Sequence, residues 1–101
     1  MIIYNVTTHV DHSIHEAWLA WMKKTHIPEV MQTKCFTKFQ FAKLLETDEA
    51  EGCTYTMQYQ AESKADYNRY IELYAPAFRK EIIEKWGAKI VAFRSLMQVV
   101  H

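Results

Sequence analysis

The sequence of 101 residues predicts a single α+β domain in which two amphipathic helices cover one face of a four-stranded antiparallel sheet. Segments with the two-residue period of strands and segments with the 3.6-residue period of helices follow one another in the order β-α-β-β-α-β. Two such helices can bury their apolar stripes together only against one face of one sheet. Right-handed crossovers then favour a ferredoxin-like sandwich that occupies residues 1–101.

Four strands are predicted at residues 2–10, 35–45, 53–62 and 90–100. The first is rich in β-branched side chains and contains neither Gly nor Pro, and the third alternates between apolar and polar residues. An acidic stretch that ends at Gly52 separates the second strand from the third. This stretch predicts a turn that joins the two strands into an antiparallel hairpin.

Two helices are predicted between the strands, each with recognisable ends. Ser13 and the glutamate three residues later form a capping-box pattern at the start of the first helix, and Pro28 predicts a break or restart near its end. The second helix begins after Ser63 as its N-cap and ends at Gly87. Pro76 lies within it and predicts a kink.

The two faces of the predicted sheet differ in polarity. We expect the helices to cover a largely aromatic face that carries Tyr4, Val6, Phe39, Phe41, Tyr55, Met57 and Tyr59. The open face is expected to carry Asn5, Thr7, His9, Lys38, Gln40, Thr54, Thr56, Gln58, Gln60 and Arg94, with Ile3, Ala42, Leu44 and Leu96 among them. Such a mixed surface is typical of a wet subunit interface, so we predict a homodimer through the open sheet face.

The charge balance disfavours two classes of partner. Lys plus Arg total 12 and Asp plus Glu total 12, which leaves no broad positive field for nucleic acid or an anionic membrane. The N-terminus has no basic region followed by an apolar signal segment, so we expect a cytoplasmic protein. The two cysteines, Cys35 and Cys53, are expected to be reduced, buried thiols because the hairpin does not pair them.

Many amphipathic aromatic residues converge on the helix-covered side of the sheet. This set either fills a solid core or surrounds a ligand pocket, and the pocket candidates are Trp18, Trp21, Met22, Tyr55, Tyr59, Tyr70 and Tyr74. His26, at the end of the first helix, is a candidate acid or base if the pocket exists and otherwise a capping or surface residue.

Other functional motifs are weak in this sequence. His9, Asp11, His12, His15 and Glu16 crowd the start of the first helix, but their spacing fits no established metal site, so no metal is predicted. The chain has only 2 glycines, which excludes a dinucleotide fingerprint or a phosphate loop. An RNA-binding domain would share the strand order, but the third strand lacks the required Gly and basic residues.

Several motifs together resemble a known bacterial family. The run WLAWMKKTHIPEVMQTKCF at residues 18–36, the segment YAPAFR at 74–79 and the pair Phe93-Arg94 resemble a domain-of-unknown-function family of the dimeric α/β-barrel superfamily. This resemblance implies a dimeric α/β barrel in which two ferredoxin-like sheets face each other, and each subunit has a pocket between sheet and helices. The chain departs from the family pattern at Lys34, where a Gly is expected.

Better-known members of that superfamily include cofactor-free monooxygenases of polyketide quinones and haem-degrading enzymes. Asn5 lies on the first strand, where haem-degrading relatives keep an Asn, but the second helix has no His to bind iron. We therefore predict no cofactor. The sequence does not assign a function, and the alternative to an uncharacterised homodimer is a monooxygenase-like enzyme or a binding protein for a small aromatic ligand. Its catalytic candidates are His26 and Asn5, and whether it is an enzyme is left open.

Overall fold

A computed structural model describes all residues from 1 to 101. The strands are β1 (Ile2–Asp11), β2 (Lys38–Lys43), β3 (Gly52–Ala61) and β4 (Ile90–Gln98), and the helices are α1 (His15–Trp21), α2 (Ile27–Gln32), α3 (Lys64–Leu73) and α4 (Ala75–Trp86). A 3₁₀ turn at His12–Ile14 precedes α1, a π-helical turn at Met22–His26 joins α1 to α2, and a 3₁₀ turn at Gly87–Lys89 follows α4.

The four strands form one antiparallel sheet in the order β2-β3-β1-β4. The two central strands, β1 and β3, pair along their whole length, with Tyr4 opposite Tyr59 and Val6 opposite Met57. This order with two helical crossovers on one face is the ferredoxin-like sandwich, so the predicted fold class is confirmed.

The aromatic face of the sheet carries the core, as predicted. Tyr4, Met57 and Tyr59 are each no more than 3% exposed, and they pack in one cluster with residues of both helical regions. Phe39 is the exception on this face because it lies on the edge strand β2, beyond the helices, and is 50% exposed. The helix layer therefore covers the centre of the sheet rather than its full width.

The prediction for the last strand was wrong. Arg94 and Leu96 were expected on the open face, but they lie opposite Val6 and Tyr4 and therefore share the helix-covered face. The open face carries Val91, Phe93 and Ser95 of this strand instead. Near both ends of this strand, adjacent residues that face opposite sides of the sheet are all apolar. The sequence pattern therefore did not reveal which side chains face the helices.

The first helix starts differently from its predicted capping box. The Asp11 carboxylate accepts a 2.8 Å hydrogen bond from the backbone N–H of Ser13 and caps the 3₁₀ turn. The following α1 has Ile14 at its N-cap, which forms no side-chain cap. The Ser13 prediction fails because this extra turn shifts the start of α1 to His15.

Pro28 determines how the first helical region continues. It has no backbone N–H and occupies the first turn of α2, which is the position where helices tolerate proline. Just before it, the chain widens into the π-helical turn, where the N–H of Ile27 bonds to the carbonyl of Met22 five residues earlier. The predicted break and restart is confirmed.

The second helical region has the predicted boundaries and interruption. The Ser63 hydroxyl accepts a 3.2 Å hydrogen bond from the N–H of Asp66 and caps α3. The helix stops at Leu73, and α4 restarts with Pro76 in its first turn. Gly87 ends α4 with a φ of 56°, a left-handed conformation that glycine adopts without strain.

The predicted hairpin forms with a second strand that is shorter than expected. Cys35 precedes β2, Cys53 lies in β3, and both are buried free thiols, as predicted. Gly52 begins β3 at a close approach, where a Cβ atom would lie 2.0 Å from the carbonyl oxygen of Val10. No helix of the protein is long and apolar enough to cross a bilayer.

Lys34, found where the family resemblance suggests glycine, has a φ of 63°. Non-glycine residues pay a steric cost in this region, so we expect Lys34→Gly to raise the free energy of unfolding by about 1 kcal/mol. Lys34→Ala keeps the Cβ atom and is expected to leave it unchanged. Urea denaturation of the three proteins measures the difference, and equal stabilities of the Gly and Ala variants would contradict the interpretation.

Candidate ligand-binding cavity

A cavity lies between the helix layer and the centre of the sheet. Of the 18 residues that line it, 14 are hydrophobic, and the cavity has a volume of about 50 Å³. That volume accommodates a few water molecules. With its open mouth and the adjoining solvent included, the space between the lining atoms is about 640 Å³.

Six of the seven predicted pocket residues line this cavity: Trp18, Trp21, Met22, Tyr55, Tyr59 and Tyr70. Tyr74 is half-buried at the junction between α3 and α4, where its side chain packs against the core outside the cavity lining. The six converge because α1, the π-helical turn, α3 and β3 all turn their apolar sides towards the same part of the sheet.

The cavity walls are built from aromatic rings in contact. The centre of the Trp18 ring lies 5.3 Å from the centre of the Tyr55 ring and 5.8 Å from that of the Phe41 ring. The Tyr55 hydroxyl in turn forms a 2.6 Å hydrogen bond with Nε2 of His15. These contacts hold one wall of the cavity in position. Other polar atoms of the lining residues have no hydrogen-bond partner.

His26 lies inside the cavity wall rather than at a surface or a helix cap. It is 6% exposed, its ring stacks on Trp21 at 5.0 Å, and the ring of Phe78 meets it edge-on at 5.6 Å. Its Nδ1 atom is buried and has no hydrogen-bond partner. Burial lowers the pKa of His26 from 6.5 to about 4, so the imidazole is neutral at pH 7.

The other catalytic candidate, Asn5, lies on the opposite face of the sheet. Its side-chain amide donates a 3.0 Å hydrogen bond to the hydroxyl of Thr7 on the open face. The structure therefore does not bring Asn5 and His26 together. The side-chain oxygen of Asn5 is buried and has no partner within the chain.

Two charged cavity residues were not among the predicted pocket residues. Arg79 on α4 and Arg94 on β4 both line the cavity, and both donate hydrogen bonds to the hydroxyl of Tyr4, at 3.2 Å and 3.1 Å. Arg79 ends the YAPAFR segment, but its position one residue after Phe78 did not reveal that it lines the cavity. Arg94 was assigned to the wrong face.

Two buried tyrosines add polar groups to the same lining. The hydroxyl of Tyr59 is buried and has no partner, and burial raises its pKa well above the ordinary value. Burial also raises the pKa of Tyr70. Both phenols therefore stay protonated over the physiological range and keep O–H groups for hydrogen bonding.

The histidines at the start of the first helical region make separate contacts. Nε2 of His12 lies 2.6 Å from the carbonyl oxygen of Glu49, and Nδ1 of His9 lies 3.1 Å from the hydroxyl of Thr54. No group of three His, Cys, Asp or Glu side chains has a geometry that could hold a metal ion. These residues therefore anchor the helix start to the hairpin.

Solved structures with this fold cover nearly the whole chain. HapK from Hahella chejuensis matches with a TM-score of 0.70 at 9% identity, covering 99% of this chain and 93% of that one. A dimeric ferredoxin-like protein from an uncultured marine organism matches with a TM-score of 0.63 at 14% identity, covering 99% and 95%. An ethyl tert-butyl ether D family protein from Bacillus halodurans C-125 matches with a TM-score of 0.68 at 10% identity, covering 99% and 100%.

These similarities define a ferredoxin-like domain. Residues 1–100 match the family described as a domain of unknown function, DUF4286, and the protein belongs to that family. The suspected membership of an uncharacterised family is thereby confirmed, and no specific function follows from it. Among proteins with a curated description, none matches the chain.

The buried His26 predicts a specific loss of stability in acid. Above pH 6.5 the histidine is neutral in both the folded and unfolded states, and its contribution is fully present. As the pH falls from 6.5 to about 4, the unfolded state takes up a proton that the folded state rejects. The shift corresponds to about 3 kcal/mol of lost unfolding free energy.

Denaturant unfolding at several pH values between 4 and 7.5 measures this loss, and His26→Phe provides the matched control. The variant keeps the ring but not the titration, so its stability is expected to fall by about 3 kcal/mol less than that of the wild type over the same range. Parallel pH profiles for the two proteins would show that His26 is not responsible.

Proposed function

We propose that the protein is a homodimeric domain that binds a small aromatic ligand in the cavity beneath its helices. The observation that carries the proposal is the aromatic lining, in which 14 of 18 residues are hydrophobic and the other four are Thr8, His26, Arg79 and Arg94. Small-molecule sites have this composition, with an apolar wall for contact and few polar groups for orientation.

Unpartnered polar atoms in the lining support the same proposal. Nδ1 of His26 and the hydroxyl of Tyr59 are both buried without a hydrogen-bond partner. Leaving such groups unsatisfied costs about 1–3 kcal/mol each, and native proteins contain few of them. A ligand with a polar substituent on an aromatic ring would supply the missing partners while its ring stacks against the walls.

The homodimer is proposed to form through the open sheet face. Val91 and Phe93 are 65% and 62% exposed there, side by side with the uncharged Thr7 and Ser95. The buried oxygen of Asn5 on this face also lacks a donor, which a second copy would supply. One structurally similar protein is described as a dimeric ferredoxin-like protein. Two sheets packed in this way would make the dimeric α/β barrel.

Binding is favoured over cofactor-free oxygenation by the state of His26. An oxygenase of that kind needs a base to remove a proton from its substrate, and efficient bases have a pKa near the working pH. The pKa of His26, about 4, makes the neutral ring a weak base but a good hydrogen-bond partner. A cytoplasmic location belongs to the same proposal and is supported by the two free thiols, which persist in reducing compartments.

The open-face homodimer predicts that a charge placed on that face separates the subunits. Wild-type protein is expected to have twice the mass of the 12.0 kDa chain by light scattering at micromolar concentration. Phe93→Asp is expected to lower the measured mass to that of one chain, because a desolvated carboxylate opposes apolar packing.

Leu73→Asp is the matched control, since Leu73 is 61% exposed on α3 and lies on the helical side of the domain. It is expected to remain dimeric. A monomeric wild type, or dimers of all three proteins, would refute the proposed interface.

The ligand proposal predicts that small aromatic molecules perturb the cavity tryptophans. A panel of phenol, benzyl alcohol and benzoate is titrated while the three indole N–H signals are followed by NMR. At least one compound is expected to shift the signals of Trp18 and Trp21, because both rings line the cavity. Saturating shifts give the dissociation constant.

A cavity-filling variant tests the location of that binding. Ala92→Leu adds three carbons where Ala92 lines the cavity, and it is expected to weaken binding at least tenfold. Ala77→Leu makes the same change at an exposed alanine of α4 and is expected to bind normally. The proposal fails if no member of the panel shifts the indole signals, or if both variants bind as the wild type does.

A further inference from the structure

Arg79, Arg94 and Tyr4 form a hydrogen-bonded group in the cavity lining. The hydroxyl oxygen of Tyr4 accepts a bond from the guanidinium of Arg79 at 3.2 Å and another from that of Arg94 at 3.1 Å. A phenol oxygen has two lone pairs, so these bonds occupy it and leave its own O–H free to donate. Nε of Arg79 is also buried without a partner.

The missing counter-ion distinguishes these arginines from the third arginine of the chain. Arg69 forms an ion pair with the carboxylate of Asp66 at 3.2 Å. No carboxylate lies within 4.0 Å of Arg79 or Arg94. The only two cation–π contacts in the protein belong to lysines, so aromatic faces do not compensate these guanidinium charges either. Two like charges thus share one neutral oxygen.

Arg79 and Arg94 lie at a position where a ligand in the cavity could reach them. Arg79 and Arg94 line both the cavity and a neighbouring surface groove between α4 and β4, so they lie where the cavity opens to solvent. Arg79 is half-buried and Arg94 is exposed, so both guanidinium groups are accessible to a charged ligand at this point. An anion at this point would neutralise the pair and accept hydrogen bonds from both guanidinium groups and from Tyr4.

We infer that the ligand is an aromatic carboxylate, with its ring between the cavity walls and its carboxylate bound by Arg79, Arg94 and the hydroxyl of Tyr4. A guanidinium presents paired N–H groups in a plane, a geometry that matches a carboxylate. The aromatic part of the inference rests on the proposed function, whereas the carboxylate part rests on two guanidinium groups that have no carboxylate partner and share the hydroxyl of Tyr4.

The test compares benzoate with benzyl alcohol, which has the same ring without the charge. Wild-type protein is expected to bind benzoate at least tenfold more tightly, measured from the indole shifts at low salt. Arg94→Gln and Arg79→Gln are each expected to weaken benzoate binding by about tenfold to a hundredfold, the usual range for a hydrogen bond to a charged group. Both variants should bind benzyl alcohol as the wild type does.

Arg69→Gln is the matched control, because Arg69 is the third arginine of the chain and does not line the cavity. It is expected to bind benzoate normally. Acetate and inorganic phosphate are titrated alongside, and both are expected to bind at least tenfold more weakly than benzoate because they lack the ring.

Thermal denaturation separates a binding role from a structural one. In the absence of ligand, Arg94→Gln is expected to keep or raise the melting temperature, since it removes one of two mutually repelling charges. Benzoate is expected to raise the melting temperature of the wild type and not that of the variant. A melting temperature lowered in the variant without any loss of benzoate affinity would assign Arg94 to the fold and overturn the inference.

The remaining outcomes distinguish the two proposals. Equal affinities for benzoate and benzyl alcohol, unchanged in both arginine variants, would overturn the carboxylate inference and leave the aromatic-ligand proposal intact. Phosphate or acetate binding that equals benzoate binding and depends on Arg94 would retain an anion site and overturn the aromatic ligand. Binding of none of these probes would overturn both.

Discussion

The packing of Tyr4 holds the two layers of this protein together and also sets the character of its cavity. Tyr4 lies on the central strand β1, and its ring contacts those of Tyr59 at 6.3 Å, Tyr67 at 5.4 Å and Tyr70 at 5.8 Å. Aromatic pairs at these distances stabilise beyond their buried area. The hydroxyl at the end of the same ring is the acceptor for two arginines, so one side chain connects the fold to the candidate site.

A second constraint on the cavity is the irregular backbone of the first helical region. Pro28 prevents a continuous α-helix, and the chain responds with a π-helical turn that places His26 and Met22 in the buried wall. Such wide turns are uncommon and occur frequently at functional sites. The local backbone irregularity is therefore what introduces a neutral imidazole into an otherwise aromatic lining.

Much of the fold could be predicted because each element carries a local signal. The alternation in β3, the Ser63 cap and the two prolines each indicate a structure within a few residues, and six of the seven pocket candidates lie where a shared apolar face implies. That Arg79 and Arg94 line the cavity could not be predicted in this way. They depend on the register of β4 and on the rotation of α4 over the sheet, which are fixed by tertiary packing rather than by local pattern.

One face of the sheet has hydrogen-bond donors that lack an anionic acceptor, and the other has an acceptor that lacks a donor. This contrast fits the two kinds of association proposed for the domain. On the helix side, Arg79, Arg94 and Tyr4 supply donors without an anion, in a space lined by rings. On the open side, the buried oxygen of Asn5 lacks a donor, beside exposed apolar residues such as Phe93. Polar groups of folded proteins are rarely left unmatched. The proposed anionic ligand would complete the first face and the proposed second subunit the other, so the two associations would not compete for one surface.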